Sequence, residues 1–95
     1  MIKQSALRVL KIEQRAIAQL AQYIDDDFVQ ACQLILSCKG KIIVCGMGKS
    51  GHIGHKISAT LSSTGTPAFF MHPAEANHGD LGMLTEQDCL VAISN

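Results

Sequence analysis

The segment that most constrains the fold runs from Ile42 to Lys56 and reads IIVCGMGKSGHIGHK. A short β-branched run ends in glycines, and from Ser50 onward apolar residues return at helical spacing. This pattern predicts a buried strand, a tight glycine turn and a helix, which together form the start of a βαβ crossover. A helix that opens in this way has unpaired N–H groups at its first turn, and with the helix dipole they favour an anion.

Two nucleotide-binding motifs overlap in this segment. The triphosphate loop G-x-x-x-x-G-K-[ST] would require glycine at position 43, which is Ile43 inside the strand, so that interpretation is excluded. A dinucleotide fold matches G-x-G-x-x-G, but it also requires an acidic residue about 20 residues further on to bind the ribose hydroxyls. The second predicted strand ends in FFMHP without a carboxylate, and the next acid is Glu75. A dinucleotide is therefore disfavoured.

The remaining functional interpretation is a site for one phosphate monoester. Main-chain or hydroxyl donors of Gly48, Ser50, Gly51 and His52 are the candidates for holding the phosphate, and Lys49 supplies a positive charge beside it. The alternative is that the glycines serve only a tight turn and that Lys49 is a solvated surface charge.

The rest of the chain predicts an α/β fold. Apolar residues recur at helical steps over residues 1–24, and the acidic run Asp25–Asp27 indicates the cap of a second helix, which Gly40 ends. The strands are predicted at Lys41–Cys45, Thr66–Met71 and Cys89–Ile93. Alternation of strands with helices predicts a parallel sheet covered on both faces. We expect N-terminal helices over residues 1–40 and the first part of an α/β domain over 41–95, with the sheet and site continuing beyond the third strand.

Composition argues against several classes of partner. The 95 residues carry a formal net charge of zero with one Tyr, three Phe and no Trp, which disfavours nucleic-acid binding. No apolar run approaches the roughly 20 residues needed to cross a membrane. The four cysteines form no C-x-x-C pair and no secretory signal opens the chain, which favours reduced thiols and a cytoplasmic location.

A second cluster of polar residues, HPAEANHGDLGM, follows the second predicted strand. Pro73 suits the first position of a short helix, on which Glu75 and His78 would share one side and could transfer protons near neutral pH. Each has a structural alternative: Glu75 as a helix-terminus charge and His78 as a histidine bonded to a carbonyl. His52 and His55 could also join His72 or His78 around zinc, but no cysteine has fitting spacing beside them, so no metal site is expected.

The runs VCGMGKSGHIG and SSTGTPAFFMHPAEANHGDLGML, with a strand ending in ISN, resemble the sugar isomerase (SIS) domain of D-arabinose 5-phosphate isomerases. The resemblance implies a three-layer α/β/α, flavodoxin-like domain that binds a phosphosugar and needs no cofactor. It also implies interconversion of D-ribulose 5-phosphate and D-arabinose 5-phosphate, a step that supplies the lipopolysaccharide sugar Kdo. Family members form homotetramers, and a pair of CBS modules commonly follows.

By the same resemblance, Ser50 matches a phosphate-binding position, Lys49 an active-site lysine, and His78 the histidine of H-G-D-L-G. Such domains continue after ISN into S-G-E-[ST], which completes the phosphate site, so Ser94 is the last binding candidate and further acids follow it. We therefore expect negligible catalysis from residues 1–95 alone. The alternative function is a non-catalytic sugar-phosphate sensor, although no basic DNA-binding segment is present.

Overall fold

The computed structural model of the chain describes residues 1–77 and 79–94, the side chains of residues 75, 77, 80 and 81 excepted. Its contacts divide the chain into two compact units, Met1–Gln33 and Leu34–Asn95. The candidate residues of the glycine turn and of the three strands all belong to the second unit.

The amino-terminal segment is helical, as its periodicity predicts. Helix α1 (Ile2–Gln19) continues into a 3₁₀ turn over Leu20–Tyr23, and helix α2 (Asp26–Leu36) follows. Asp25 caps α2, because its carboxylate accepts the Phe28 N–H at 3.1 Å, which confirms the capping prediction. The apolar side chains of α1 are largely exposed; Ile17, for example, is 68% exposed.

The prediction that Gly40 ends the second helix is wrong, since α2 already ends at Leu36. Gly40 has a different structural role. Its N–H donates to the Gln87 carbonyl at 3.0 Å. A Cβ atom at this position would collide with the carboxylate of Asp88, so the close packing of two chain segments requires glycine here.

Three parallel strands form the sheet, in the order β2-β1-β3. They are β1 (Ile42–Gly46), β2 (Ala68–Met71) and β3 (Cys89–Ile93). The register pairs Val44 of the central strand with Phe70 on one side and Val91 on the other. The predicted parallel α/β arrangement is confirmed, and the bounds of β3 are those predicted from the sequence.

Helix α3 (Gly48–Ser63) packs on one face of this sheet. The core beneath it is centred on Ile42 and Val44, which are 1% and 0% exposed, and on Ala68. The Ser62 hydroxyl donates to the Ala68 carbonyl at 2.9 Å and so ties the end of α3 to the start of β2. In the two outer strands, Phe69 of β2 and Leu90 of β3 are more than half exposed.

The carboxyl ends of the strands position the candidate site. Parallel strands end along one edge, and here α3 begins after β1 and the short helix α4 (Pro73–Asn77) begins after β2. A 3₁₀ turn over Asp80–Met83 then leads back toward β3. In open α/β sheets this edge is the one that binds ligands. No helix of the described residues is both long and apolar enough to span a membrane.

Candidate functional site

The first turn of α3 has unpaired donors. The helix begins at Gly48 rather than at Ser50, and Gly48 has a φ of 58°, a conformation that favours glycine. The first helical acceptor is the Met47 carbonyl, which receives the Gly51 N–H at 3.2 Å. Within the described part of the chain, the N–H groups of Gly48, Lys49 and Ser50 have no acceptor. The turn therefore has three amide donors that no described residue accepts from, as expected for the first turn of a helix.

Two of the motif glycines are required by packing between backbones. A Cβ on Gly51 would lie 2.9 Å from the Gly46 carbonyl oxygen, and a Cβ on Gly46 would lie 2.9 Å from the carbonyl oxygen of Ser50. Neither backbone oxygen can rotate away. The local fold thus explains the glycine pattern by itself, and the case for phosphate binding depends on the amides, Ser50 and their surroundings.

A hollow of about 330 Å³, which we call the serine hollow, lies at the carboxyl ends of β1 and β3. It brings together Ser50 and Ser94, two predicted phosphate-site residues that are distant in sequence. Its other lining residues are Cys45, Gly46, Met47, Pro73, Ala92 and Ile93. Sequence analysis did not single out Met47 or Cys45, although both flank the first motif glycine, and their position at the carboxyl end of the first strand could have indicated them.

A second hollow of about 250 Å³, which we call the histidine hollow, lies on the β2 side of the same turn. Three predicted phosphate-binding residues, Gly48, Gly51 and His52, line it rather than the serine hollow. The remaining lining residues are His55, Phe70 and His72. The structure therefore separates the predicted binding residues into two groups on either side of the first turn of α3.

Two histidines of the histidine hollow have structural contacts. His72 Nδ1 accepts the Ala74 N–H at 3.1 Å and so caps α4, which requires that nitrogen to be unprotonated. The His55 ring stacks on the Phe70 ring with their centroids 3.8 Å apart. The sequence indicated these residues only as possible zinc ligands, although the position of His72 directly before Pro73 is that of a helix cap. Among the described residues, no three potential ligands are grouped to hold a metal ion.

The structure describes the three candidate catalytic residues only in part. Lys49 lies exposed on the first turn of α3, and its amine has no partner within the described residues. Glu75 belongs to α4, but its side chain lies outside the described part of the chain, as does all of His78. The catalytic roles of these three residues stay predictions.

At the amino ends of the strands, opposite the candidate site, the Asp88 carboxylate links the residues that precede β1 and β3. Its Oδ1 accepts the Lys41 N–H at 2.8 Å, and its Oδ2 accepts the Thr85 N–H at 2.9 Å. Both backbone hydrogen bonds lower the pKa of the Asp88 carboxyl group, and the bond from Lys41 has the larger effect. No sequence pattern indicated this contact, because the bonded residues are 47 positions apart.

Known proteins with similar sequences and structures share this part of the molecule. The chain is 62% identical over 93 residues to arabinose 5-phosphate isomerase KdsD of Yersinia pestis, and 58% identical to the KdsD of Escherichia coli K12. Both matches cover 98% of this chain but 28% of the relative, so the chain spans little more than a quarter of their length. A solved structure, E. coli CFT073 c3406 in complex with arabinose 5-phosphate, has a TM-score of 0.75 and 38% identity, covering 97% of this chain and 51% of that chain.

A family model also matches the chain directly. The model of the SIS domain matches residues 35–95, which include all three strands, α3 and both hollows. The match thus covers more than half of the chain, and the strand–glycine turn–helix unit and the parallel sheet agree with the fold of the solved relative. The chain belongs to the SIS domain family.

Proposed function

We propose that this chain forms the phosphate-binding part of a phosphosugar isomerase that interconverts D-ribulose 5-phosphate and D-arabinose 5-phosphate. The observation that carries the proposal is the convergence of Ser50 and Ser94 in the serine hollow, beside three amide donors without acceptors in the described residues. The isomerase names of the KdsD relatives and the arabinose 5-phosphate complex of the structural relative support the choice of ligand.

The phosphate group binds at the first turn of α3. Three N–H groups at a helix amino terminus, together with the positive end of the helix dipole, stabilise a doubly charged anion. The Ser50 hydroxyl adds a donor, and Lys49 adds a charge from the same turn. The volume of about 330 Å³ lies at the lower end of the range for small-molecule sites, which suits a pentose phosphate.

Isomerisation then requires proton transfer between adjacent carbons through an enediol(ate). A base removes the proton beside the carbonyl group, and other groups move protons on the two oxygens. Lys49 stabilises the negative charge of the phosphate or enediolate. His78 acts in ring opening or in moving protons, and Glu75 is a weaker candidate for the same role. The base itself belongs to a part of the protein beyond these 95 residues or to a second subunit, and the product supplies Kdo synthesis.

The binding partner in this proposal is a pentose 5-phosphate, and the protein acts as a homo-oligomer. Association is supported by the exposed apolar side chains of α1, among them Leu10 and Ile17, which are 63% and 68% exposed. Family resemblance favours a tetramer.

A chimera tests the proposed reaction. This chain replaces the matched 93 residues of E. coli K12 KdsD, with the parent enzyme as the reference. We expect conversion of D-arabinose 5-phosphate at a rate within about tenfold of the parent, because the proposed phosphate site is retained. Ser50→Ala in the chimera should raise KM more than it lowers kcat. A folded chimera that binds the sugar phosphate without converting it would favour the sensor function instead, and one that neither binds nor converts would refute the proposal.

A further inference from the structure

His72 joins the end of β2 to α4 through two hydrogen bonds. Its ring Nδ1 accepts the Ala74 N–H at 3.1 Å, and its backbone carbonyl accepts the Ala76 N–H at 3.0 Å. Pro73, the first residue of α4, has no N–H to donate. Both of these first-turn donors are therefore satisfied by a single residue, which directly follows Met71, the last residue of β2.

The same residue lies between the two hollows. The His72 side chain lines the histidine hollow, and the next residue, Pro73, lines the serine hollow. The proline ring fixes the φ angle of Pro73, so the place of this residue depends on where α4 begins. A shift of α4 relative to β2 would thus move one wall of the hollow in which Ser50 and Ser94 converge.

The ring hydrogen bond of His72 depends on protonation. An imidazolium nitrogen donates and cannot accept, and histidine is the side chain that ordinarily gains its proton between about pH 8 and pH 5. A positive charge at the start of a helix is also unfavourable, because the helix dipole is positive there. Among the described side chains, the other titratable groups of this hollow are the imidazoles of His52 and His55 on α3. The side chain of Glu75, the one charged residue of α4, lies outside the described part of the chain.

We infer that His72 is a positioning residue for the proposed phosphosugar site: its neutral ring fixes the start of α4 so that Pro73 forms one wall of the serine hollow, and protonation of the ring releases that wall. The inference rests on the proposed function, because it assigns the serine hollow to the sugar phosphate. His72 lines the other hollow, so it acts on the substrate through Pro73 and not by contact. Loss of the cap therefore weakens substrate binding more than it slows turnover of the bound sugar.

The test uses the chimera with His72→Asn, His72→Phe and the control His55→Gln. Asparagine has an acceptor oxygen at the same distance along the side chain as Nδ1, is a preferred helix cap and does not titrate, so it keeps the bond at every pH of the experiment. Phenylalanine keeps a planar ring but cannot accept a hydrogen bond. His55→Gln removes an exposed imidazole of the same hollow and leaves the cap in place.

The dissociation constant for D-arabinose 5-phosphate is measured by calorimetry between about pH 8 and pH 5.5, together with kcat. Acidification should weaken binding by the unsubstituted chimera about fivefold more than binding by His72→Asn, because a helix cap changes a local equilibrium by about that factor. The phosphate group of the sugar gains a proton near about pH 6 in both experiments, so the ratio of the two proteins reports His72. At about pH 8, His72→Phe should bind about fivefold more weakly than the unsubstituted chimera, with kcat within about twofold. His55→Gln should match the unsubstituted chimera.

Amide hydrogen exchange of the peptide covering residues 73–77 reports the cap without any substrate. Compared at equal pH, exchange should be faster in His72→Phe than in His72→Asn. Equal pH dependence of binding in His72→Asn and the unsubstituted chimera, or an unchanged dissociation constant in His72→Phe, would overturn the inference. If the chimera bound the sugar without converting it, the isomerase function would fail, and the binding ratios would still decide the role of His72. If it bound no sugar, the proposed function would fail, and exchange would decide whether His72 holds α4: faster exchange in His72→Phe would support that role, and equal exchange would overturn it.

Discussion

Substituting Gly51 by alanine tests whether the first turn of α3 must lie against the end of β1. The added methyl carbon would lie 2.9 Å from the Gly46 carbonyl oxygen, whereas an ordinary contact begins at 3.4 Å. The two backbones must therefore separate by about 0.5 Å. Such overpacking costs about 1–3 kcal/mol, and the better helix propensity of alanine offsets about 1 kcal/mol. We expect a net loss of up to about 2 kcal/mol in the free energy of unfolding.

The matched control is Gly54→Ala, one turn further along α3. Its methyl group would meet the Phe70 ring at 3.0 Å and a Val44 methyl at 3.2 Å. Both neighbours are side chains, and the gain in helix propensity is the same, so this variant should be less destabilised. It also leaves the three amides of the turn in place.

Two measurements compare these variants. Urea unfolding gives the free energy of unfolding of each variant. Phosphate binding is measured by titration with inorganic phosphate, followed through the amide NMR signals of Gly48, Lys49 and Ser50. Gly51→Ala should weaken phosphate binding by at least about tenfold, because a shift of about 0.5 Å displaces the donors, whereas Gly54→Ala should change it by less than about twofold. If both variants bound phosphate equally and had equal stability, the reasoning would be refuted.

Three further changes test the fold and the association. Ile42→Ala should cost about 2–5 kcal/mol in urea unfolding and Ile42→Val only about 0.5–1.5, because this side chain is 1% exposed in the core; equal stabilities would contradict that assignment. Asp88→Asn should flatten the acid dependence of stability: the lowered pKa means that the carboxylate stabilises the fold above the ordinary value of 3.8, and this stabilisation is lost as the pH falls below 3.8 through the folded pKa. Unfolding curves measured between neutral pH and about pH 2 check this, and identical slopes for both proteins would exclude the effect. Ile17→Asp combined with Leu20→Asp should lower the molar mass seen by light scattering, and an unchanged mass would argue against association through α1.

Local patterns in the sequence predicted most of the fold. The β-branched run before the glycines indicated β1, and the bounds of β3 are as expected from the apolar run at Cys89–Ile93. Asp25 was identifiable as a cap because short acidic side chains bind the first amides of a helix. These features depend on interactions between residues close in sequence, which is why periodicity and capping residues reveal them.

Contacts between distant segments could not be predicted in this way. Gly40 resembles a helix terminator in sequence, yet glycine is required there by the approach of Asp88, which lies far along the chain. The division of the site into serine and histidine hollows likewise depends on the order β2-β1-β3, which places the ends of β2 and β3 on opposite sides of the turn. Residue types alone indicated an anion site and could not assign each side chain to one hollow.

The most direct test of the account is a crystal structure of the chimera with D-arabinose 5-phosphate bound. We expect phosphate oxygens about 3 Å from the amide nitrogens of Gly48, Lys49 and Ser50 and from the Ser50 hydroxyl, with the sugar extending into the serine hollow toward Ser94. A phosphate group bound elsewhere, with Lys49 and Ser50 turned away from it, would contradict the account.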